Sequence, residues 1–373
     1  MRVAIIHPHL FVRGGGERLT KILATGLEMM GDEVSITTHS LEGGFPELNE
    51  VRKKYFFKTS STPLKSAILK NLAGIALSIK ETIRRFDPHV VVAMTEDVVN
   101  LAFVKLVKRK LRTIQYVHFP IEEESGFSNL YTDYCRFPSW FNKRFLWAAD
   151  FISCNSRYTQ AAIDRVWKKA ADVIYPGIDY PFTVKPDNIG RDRENIVLCA
   201  GRFTKLKRQD FLVRAFRRVR EKVRDARLIL AGYPDGRHSC FLKNLVNPGE
   251  EAVEIHLNPS DHELIQLYRS AKVYCHPRIA EHFGLTPLEA MSQGAPVVAY
   301  DLGGVRETVV DGETGYLAQN DEEFTRYISK VLRSGHSEWI EMQSKAVERA
   351  LLFSPDLFIA RFRALAMSGI GPC

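Results

Sequence analysis

The sequence predicts two α/β domains in tandem, each built on a parallel sheet and facing the other across a cleft. Three observations carry that expectation. Short β-branched runs alternate with longer helical patterns along the whole chain, as parallel strands joined by crossover helices require. The alternation breaks off at the turn-rich stretch YPGIDYPFTVKPDNIGRDREN and then resumes. At 373 residues the chain also exceeds what one hydrophobic core ordinarily supports. The expected division is residues 1–187, residues 188–353, and a C-terminal helix over 354–373 that crosses back to the first domain.

In the first domain, strands are expected at 3–7 (VAIIH), 33–39, 89–94, 113–118, 150–155 and 171–176, with helices between them. The second series runs through 195–201 (NIVLCAG), 227–232, 252–257, 272–277 and 296–301. The last helix, SPDLFIARFRALAM, begins after Ser354, a good N-cap, with Pro355 at its first position. Ligands of open parallel sheets bind outside the carboxyl ends of the strands, so the loops that follow these runs are where chemistry is expected.

Composition narrows the partners. Hydrophobic residues make up 45% and charged residues 26%, a balance that excludes disordered and fibrous classes. Six cysteines without a C-x-x-C pair, mostly inside apolar runs, read as small buried hydrophobes in a reducing compartment. Neither a signal-peptide pattern nor an uninterrupted apolar run of membrane-spanning length occurs, so a cytoplasmic protein is expected.

The net charge is +8, with 26 Lys+Arg against 20 Asp+Glu through Asp187 and 26 against 24 beyond it, so the basic excess lies mainly in the first half. It is concentrated in RKKYFFK (52–58), in the segment Lys65 to Arg85, and in KLVKRKLR (105–112). The middle segment has helical amphipathic spacing, with Ile68, Leu72, Ile75, Leu77 and Ile79 set among Lys65, Lys70 and Lys80. That pattern fits peripheral contact with an anionic membrane surface, and equally a helix with one core face and one solvated face. Nucleic acid is not expected, because no binding module or aromatic-basic platform accompanies the charge.

The strongest local signal is EHFGLTPLEAM after the strand KVYCHP. Glu281 falls in the loop, and Gly284, Leu285, Thr286 and Pro287 open a helix that carries Glu289. Backbone N–H groups at such a helix start suit a diphosphate, and the two carboxylates flanking it suit sugar or ribose hydroxyls, each accepting two hydrogen bonds. Alone, the glutamates would serve as helix caps or dipole partners. The added context is GRFTKLKRQD, where Arg202 and Lys207 follow a strand end and could neutralise a diphosphate leaving group. No D-x-D occurs, so protein cations in place of a divalent metal are the simplest expectation, with no cofactor.

Weaker signals lie elsewhere. Gly14, Gly15 and Gly16 separate the first strand from its helix and would let backbone approach a phosphate or sugar, though a G-x-G-x-x-G fingerprint fails at Leu19. His118 ends the strand TIQYVH and would sit at the sheet's carboxyl edge as a polar anchor for a sugar. Gly303 and Gly304 in DLGGVRETV form another strand-to-helix turn able to line a ligand.

Taken together, GGGERL, YVHFP, NSRYT, YPGID, GRFTKLK, EHFGLTPLEAM and DLGGVRETVVDGETGYL resemble a family-4 retaining glycosyltransferase of the two-Rossmann GT-B fold. HFP after an apolar strand and EHFGLTPLEAM are similar to the mannosyltransferases that extend lipid-linked oligosaccharides from GDP-mannose. The resemblance implies that Arg202 and Lys207 hold the diphosphate of a GDP-mannose or UDP-hexose donor. It implies that Glu281 holds the donor sugar and Glu289 the ribose, with Gly15 and Gly16 on the phosphate side and His118 facing the reacting sugar. The acceptor would be a glycan or lipid-linked sugar, and retention would follow front-side attack without a protein nucleophile. GGGE stands where GGAE is commoner in the family. Two other classes stay open on residues alone: a nicotinamide-dependent oxidoreductase, and a non-catalytic sugar-nucleotide-binding protein.

Overall fold

The computed structural model describes residues 1–7, 10, 14–38, 56–58, 67–95, 97–120, 123, 143–183, 187, 189–234, 241–242, 244–245 and 251–368. The chain forms two compact units, one of residues 1–179 with 355–373 and one of residues 180–354.

The first unit carries a parallel sheet of strands β1 (Arg2–Ile6), β2 (Glu33–Thr38), β3 (Phe56–Lys58), β4 (Val90–Ala93), β5 (Arg112–Val117), β6 (Phe151–Cys154) and β7 (Asp172–Val173). Their order is β3-β2-β1-β4-β5-β6-β7, so the chain reverses direction across the sheet between β1 and β4. Helices α1 (Gly15–Met29), α2 (Ala67–Phe86), α3 (Val99–Val107) and α4 (Arg157–Trp167) make the crossovers. One strand of this sheet was not expected. β3 falls inside the basic run 52–58, where Phe56 to Lys58 pair with Ile36 to Thr38 of β2. The apolar face of α2 is core: Ile75, Ile79, Ile83 and Phe86 are buried beside Ala4, Ile6, Val91 and Leu101. Of the side chains described on this helix, only Leu77 among the apolar ones is exposed. The amphipathic pattern thus serves the sheet, as each fully buried aliphatic side chain contributes about 1.5–3 kcal/mol. Lys65 and the side chains of Ile68, Lys70 and Leu72 lie outside the described residues.

The final helix, named α10 (Pro355–Met367), belongs to the first unit. It meets α1 at Gly26, where a Cβ would lie 2.0 Å from Ile359 Cδ1, so a larger residue there would push the Ile359 side chain aside. Phe358 and Phe362 pack on the buried ring of Tyr116 in β5, and Arg363 Nε donates to Asp32 at 2.7 Å.

The second unit holds β8 (Ile196–Ala200), β9 (Arg227–Gly232), β10 (Val253–Leu257), β11 (Val273–His276), β12 (Val297–Tyr300) and β13 (Gly315–Ala318) in the order β10-β9-β8-β11-β12-β13, again all parallel. Its described helices are α5 (Gln209–Arg220), α6 (Asp261–Ser270), α7 (Leu285–Ser292), α8 (Asp321–Leu332) and α9 (His336–Leu351). Alternate residues of β8 feed opposite faces. Val197 and Cys199 join Phe211, Phe216, Phe324 and Trp339, whereas Leu198 and Ala200 join Tyr268, Met291 and Ala346. A sheet covered on both sides explains why its strands read as continuous apolar runs. Cys154, Cys199 and Cys275 are buried free thiols, and burial pushes Cys199 up to about 12. Among the described residues no helix is long and apolar enough to cross a membrane.

Candidate functional site

In the second unit, strand order reverses between β8 and β11, and the loops leaving their carboxyl ends converge there. The loop after β8 carries Arg202 and reaches a 3-10 turn at Lys205–Lys207. The loop after β11 carries Arg278 and Glu281 before Gly284, in left-handed conformation with φ 97°, opens α7.

These loops meet at Glu281, which is 8% exposed. Its Oε2 accepts from Lys207 Nζ at 2.8 Å and pairs with His276 Nε2 at 2.9 Å. Its Oε1 accepts from the His282 backbone N–H at 3.1 Å and lies 3.4 Å from Arg278 Nη1. Burial opposes ionisation of this carboxyl, yet Arg278, Lys207 and His276 outweigh it and hold it well below the usual carboxylate range. Burial pulls the Lys207 ammonium below its ordinary value, with Arg278 adding to the effect and Glu281 opposing it. Burial likewise lowers His276, which keeps its ring neutral near pH 7.

The loop after β12 closes the other side. Gly304 N–H donates to Glu281 O at 2.7 Å, and a Cβ on Gly303 would stand 2.2 Å from the same oxygen. Gly303 has φ 96°, a conformation that L side chains rarely adopt. Both glycines are therefore dictated by the close passage of two backbones beside Glu281.

Of the residues picked from the sequence, the structure brings Lys207, Glu281, Gly303 and Gly304 into direct contact, with Gly284 and Leu285 continuing the same loop into α7. Thr286 is the second residue of α7, and the nearby Tyr274 hydroxyl donates to Ala200 O at 3.1 Å. Arg202 is half-buried, and its guanidinium makes no ion pair among the described residues. Glu289 is 3% exposed and accepts from Tyr268 on α6 at 3.1 Å. In the first unit, Gly15 is exposed at the start of α1, and Gly16 faces His118, whose Nε2 lies 3.0 Å from where a Gly16 Cβ would be. That nitrogen is covered and unbonded among the described residues. Burial brings His118 down to about 4, against an opposing backbone hydrogen bond to Met94, so its ring is neutral near pH 7. Phe11 to Arg13 and most of the loop 119–140 lie outside the described residues.

His276 and Arg278 were not singled out from the sequence. A signal for His276 was available, since it ends an apolar strand as His118 does and stands directly before Pro277.

Comparison with known proteins places both units in a family. The "Glycosyltransferase Family 4" model matches residues 13–180 and the "Glycosyl transferases group 1" model matches residues 183–351. The chain is 30% identical to the α-1,3/1,6-mannosyltransferase alg-2 of Neurospora crassa, over 93% of this chain and 86% of that protein. Among solved structures, sucrose-phosphate synthase from Thermosynechococcus elongatus superposes with a TM-score of 0.82 at 22% identity, covering 99% of this chain and 98% of that one. Anabaena HepE in complex with UDP and glucose superposes with 0.78 at 18% identity, covering 99% and 100%. Two parallel sheets, the shared GT-B fold and a relative matched nearly end to end leave no place for the oxidoreductase alternative. The chain is a glycosyltransferase and belongs to glycosyltransferase family 4.

Proposed function

We propose that the chain transfers a hexose, with mannose from GDP-mannose as the first choice, from a nucleotide-diphosphate donor to a glycan or lipid-linked acceptor. Transfer would retain the anomeric configuration and need no divalent metal. The observation that carries this reading is the convergence of Lys207 with Glu281 where strand order reverses, on loops that also bear Arg202. Negative charge develops on the departing diphosphate, and preorganised cations in a water-poor site stabilise it more than they stabilise the intact donor. Mannose is favoured by the mannosyl transfer named for the Neurospora relative, and UDP-sugars are the competing donors because HepE binds UDP and glucose.

A panel of GDP-mannose, UDP-glucose, UDP-galactose and UDP-N-acetylglucosamine, read by thermal unfolding and by donor hydrolysis, tests the reading. The true donor at about 100 times its Kd should add roughly 2.7 kcal/mol of stability. Stabilisation by none of them would sink the proposal, and a response to a UDP-sugar alone would move the donor away from mannose. The anomeric outcome follows from the product's proton spectrum.

A lipid-linked acceptor also calls for a membrane contact, which is part of the same proposal and lies on α3 rather than α2. Leu106 is 75% exposed in the last turn of α3, with Val107 beside it and Lys108, Arg109 and Lys110 following at the surface. Trp147, 58% exposed, stands on a 3-10 turn that packs against α3 and follows the exposed Lys143 and Arg144. Exposed apolar side chains ringed by cations suit an anionic bilayer surface. Sedimentation with phosphatidylcholine vesicles containing roughly a third phosphatidylglycerol should carry the protein down at low salt and lose it at high salt. Leu106→Ala with Trp147→Ala should weaken binding severalfold; binding indifferent to lipid charge or to these substitutions would remove the contact.

A further inference from the structure

Arg278 has no role in the reading above, yet it shares Glu281 with Lys207. Its Nη1 lies 3.4 Å from one carboxylate oxygen while Lys207 Nζ lies 2.8 Å from the other, and its side chain is 18% exposed. Charge balance around that carboxylate is uneven. Lys207 and Arg278 contribute two positive charges, Glu281 one negative charge, and His276, with its lowered pKa, none. Two cations therefore share this one carboxylate in a mostly covered site, and Arg202, without an ion pair among the described residues, adds a third from the same loop as Lys207. A further anion arriving beside such clustered, partly buried cations is favoured electrostatically.

Glu281 is also saturated. Its two oxygens already meet Lys207, His276, Arg278 and the His282 amide, which leaves it little capacity to accept from sugar hydroxyls. We propose that Arg278 is a third cationic ligand of the donor's diphosphate, and that Glu281 is a place-holding anion for it. On donor binding, Lys207 and Arg278 exchange the carboxylate for phosphate oxygens, and the released carboxylate becomes available to the sugar.

The chemistry of the groups supports the exchange. A guanidinium offers paired donors matched to two phosphate oxygens, and both cations stand on long side chains that can swing. Glu281 cannot follow them, because its backbone is fixed by the Gly304 N–H and by the left-handed turn at Ala280, φ 54°. This inference presupposes a nucleotide-diphosphate donor.

Titration of the full chain with GDP and with UDP tests it. Arg278→Ala should weaken the better-bound nucleotide by about tenfold or more, as losing one charged hydrogen-bond partner does, with Arg278→Lys recovering part of the loss. Glu281→Gln separates ligand from scaffold: with the competing carboxylate neutralised, affinity should be unchanged or tighter while sugar transfer falls. Equal binding by wild type and Arg278→Ala overturns the inference and leaves the donor reading standing. A loss in Glu281→Gln as large as in Arg278→Ala also overturns it, marking the cluster as scaffold. Failure of the wild type to bind either nucleotide overturns both. Unfolding midpoints of the unliganded variants, within a few degrees of wild type, show that a loss is not misfolding.

Discussion

Lys207→Ala is expected to lower turnover by about two orders of magnitude or more, roughly 3 kcal/mol of transition-state stabilisation, in an assay saturated with donor. The ammonium is held 2.8 Å from Glu281 in a site where burial already lowers its pKa, so its charge is poorly screened. On the proposed function, removing it would take away a stabiliser of the leaving diphosphate, along with one of the partners that keep Glu281 ionised. Because the effect falls on the step in which charge develops, it should appear in kcat and not only in the donor KM. Wild-type turnover at saturating donor would show that Lys207 serves the apo structure alone.

An effect of similar size is expected at Gly304, for a different physical reason. A Cβ there would lie 2.0 Å from the carbonyl oxygen of His282 and 2.8 Å from the Cα of Phe283. Both are backbone atoms, so no side chain can rotate out of the way, and the loop after β12 must retreat from the loop that presents Glu281. Overpacking of this kind costs about 1–3 kcal/mol, which for a unit of this size lowers the unfolding midpoint by roughly 5 °C. The larger consequence is positional: an ångström of displacement at a reacting group can cost about a hundredfold in rate. Gly304→Ala should therefore remain folded and lose most of its turnover. A variant with wild-type melting and wild-type turnover would mean that the two loops part without consequence.

Much of the fold was legible because a doubly covered parallel sheet demands apolar strands, and those runs are conspicuous between helical patterns. β3 escaped notice because its three residues sit in a run dominated by lysines and arginines, where pairing with β2 is decided by the neighbouring strand and not by composition. The apolar stripe of α2 was ambiguous in principle, since a core face and a bilayer face require the same 3.6-residue spacing. At the site, the spacing from Arg202 to Lys207 and from Glu281 to Glu289 pointed to the two loops that meet at Glu281. It did not disclose where those side chains aim. The approach of Arg278 to Glu281 depends on a left-handed alanine at 280, and the enclosure of Glu289 depends on Tyr268 from α6. Both are tertiary facts without a local signature.

The return of α10 to the first unit has a consequence for biosynthesis. The stretch that caps Tyr116 and locks Asp32 through Arg363 is translated only after the whole of the second unit. On the ribosome the earlier unit must wait with an uncovered apolar wall while the later one can already close. Holdase chaperones would find their target in that interval, and a fragment ending at Asp179 would carry the same unhealed wall permanently.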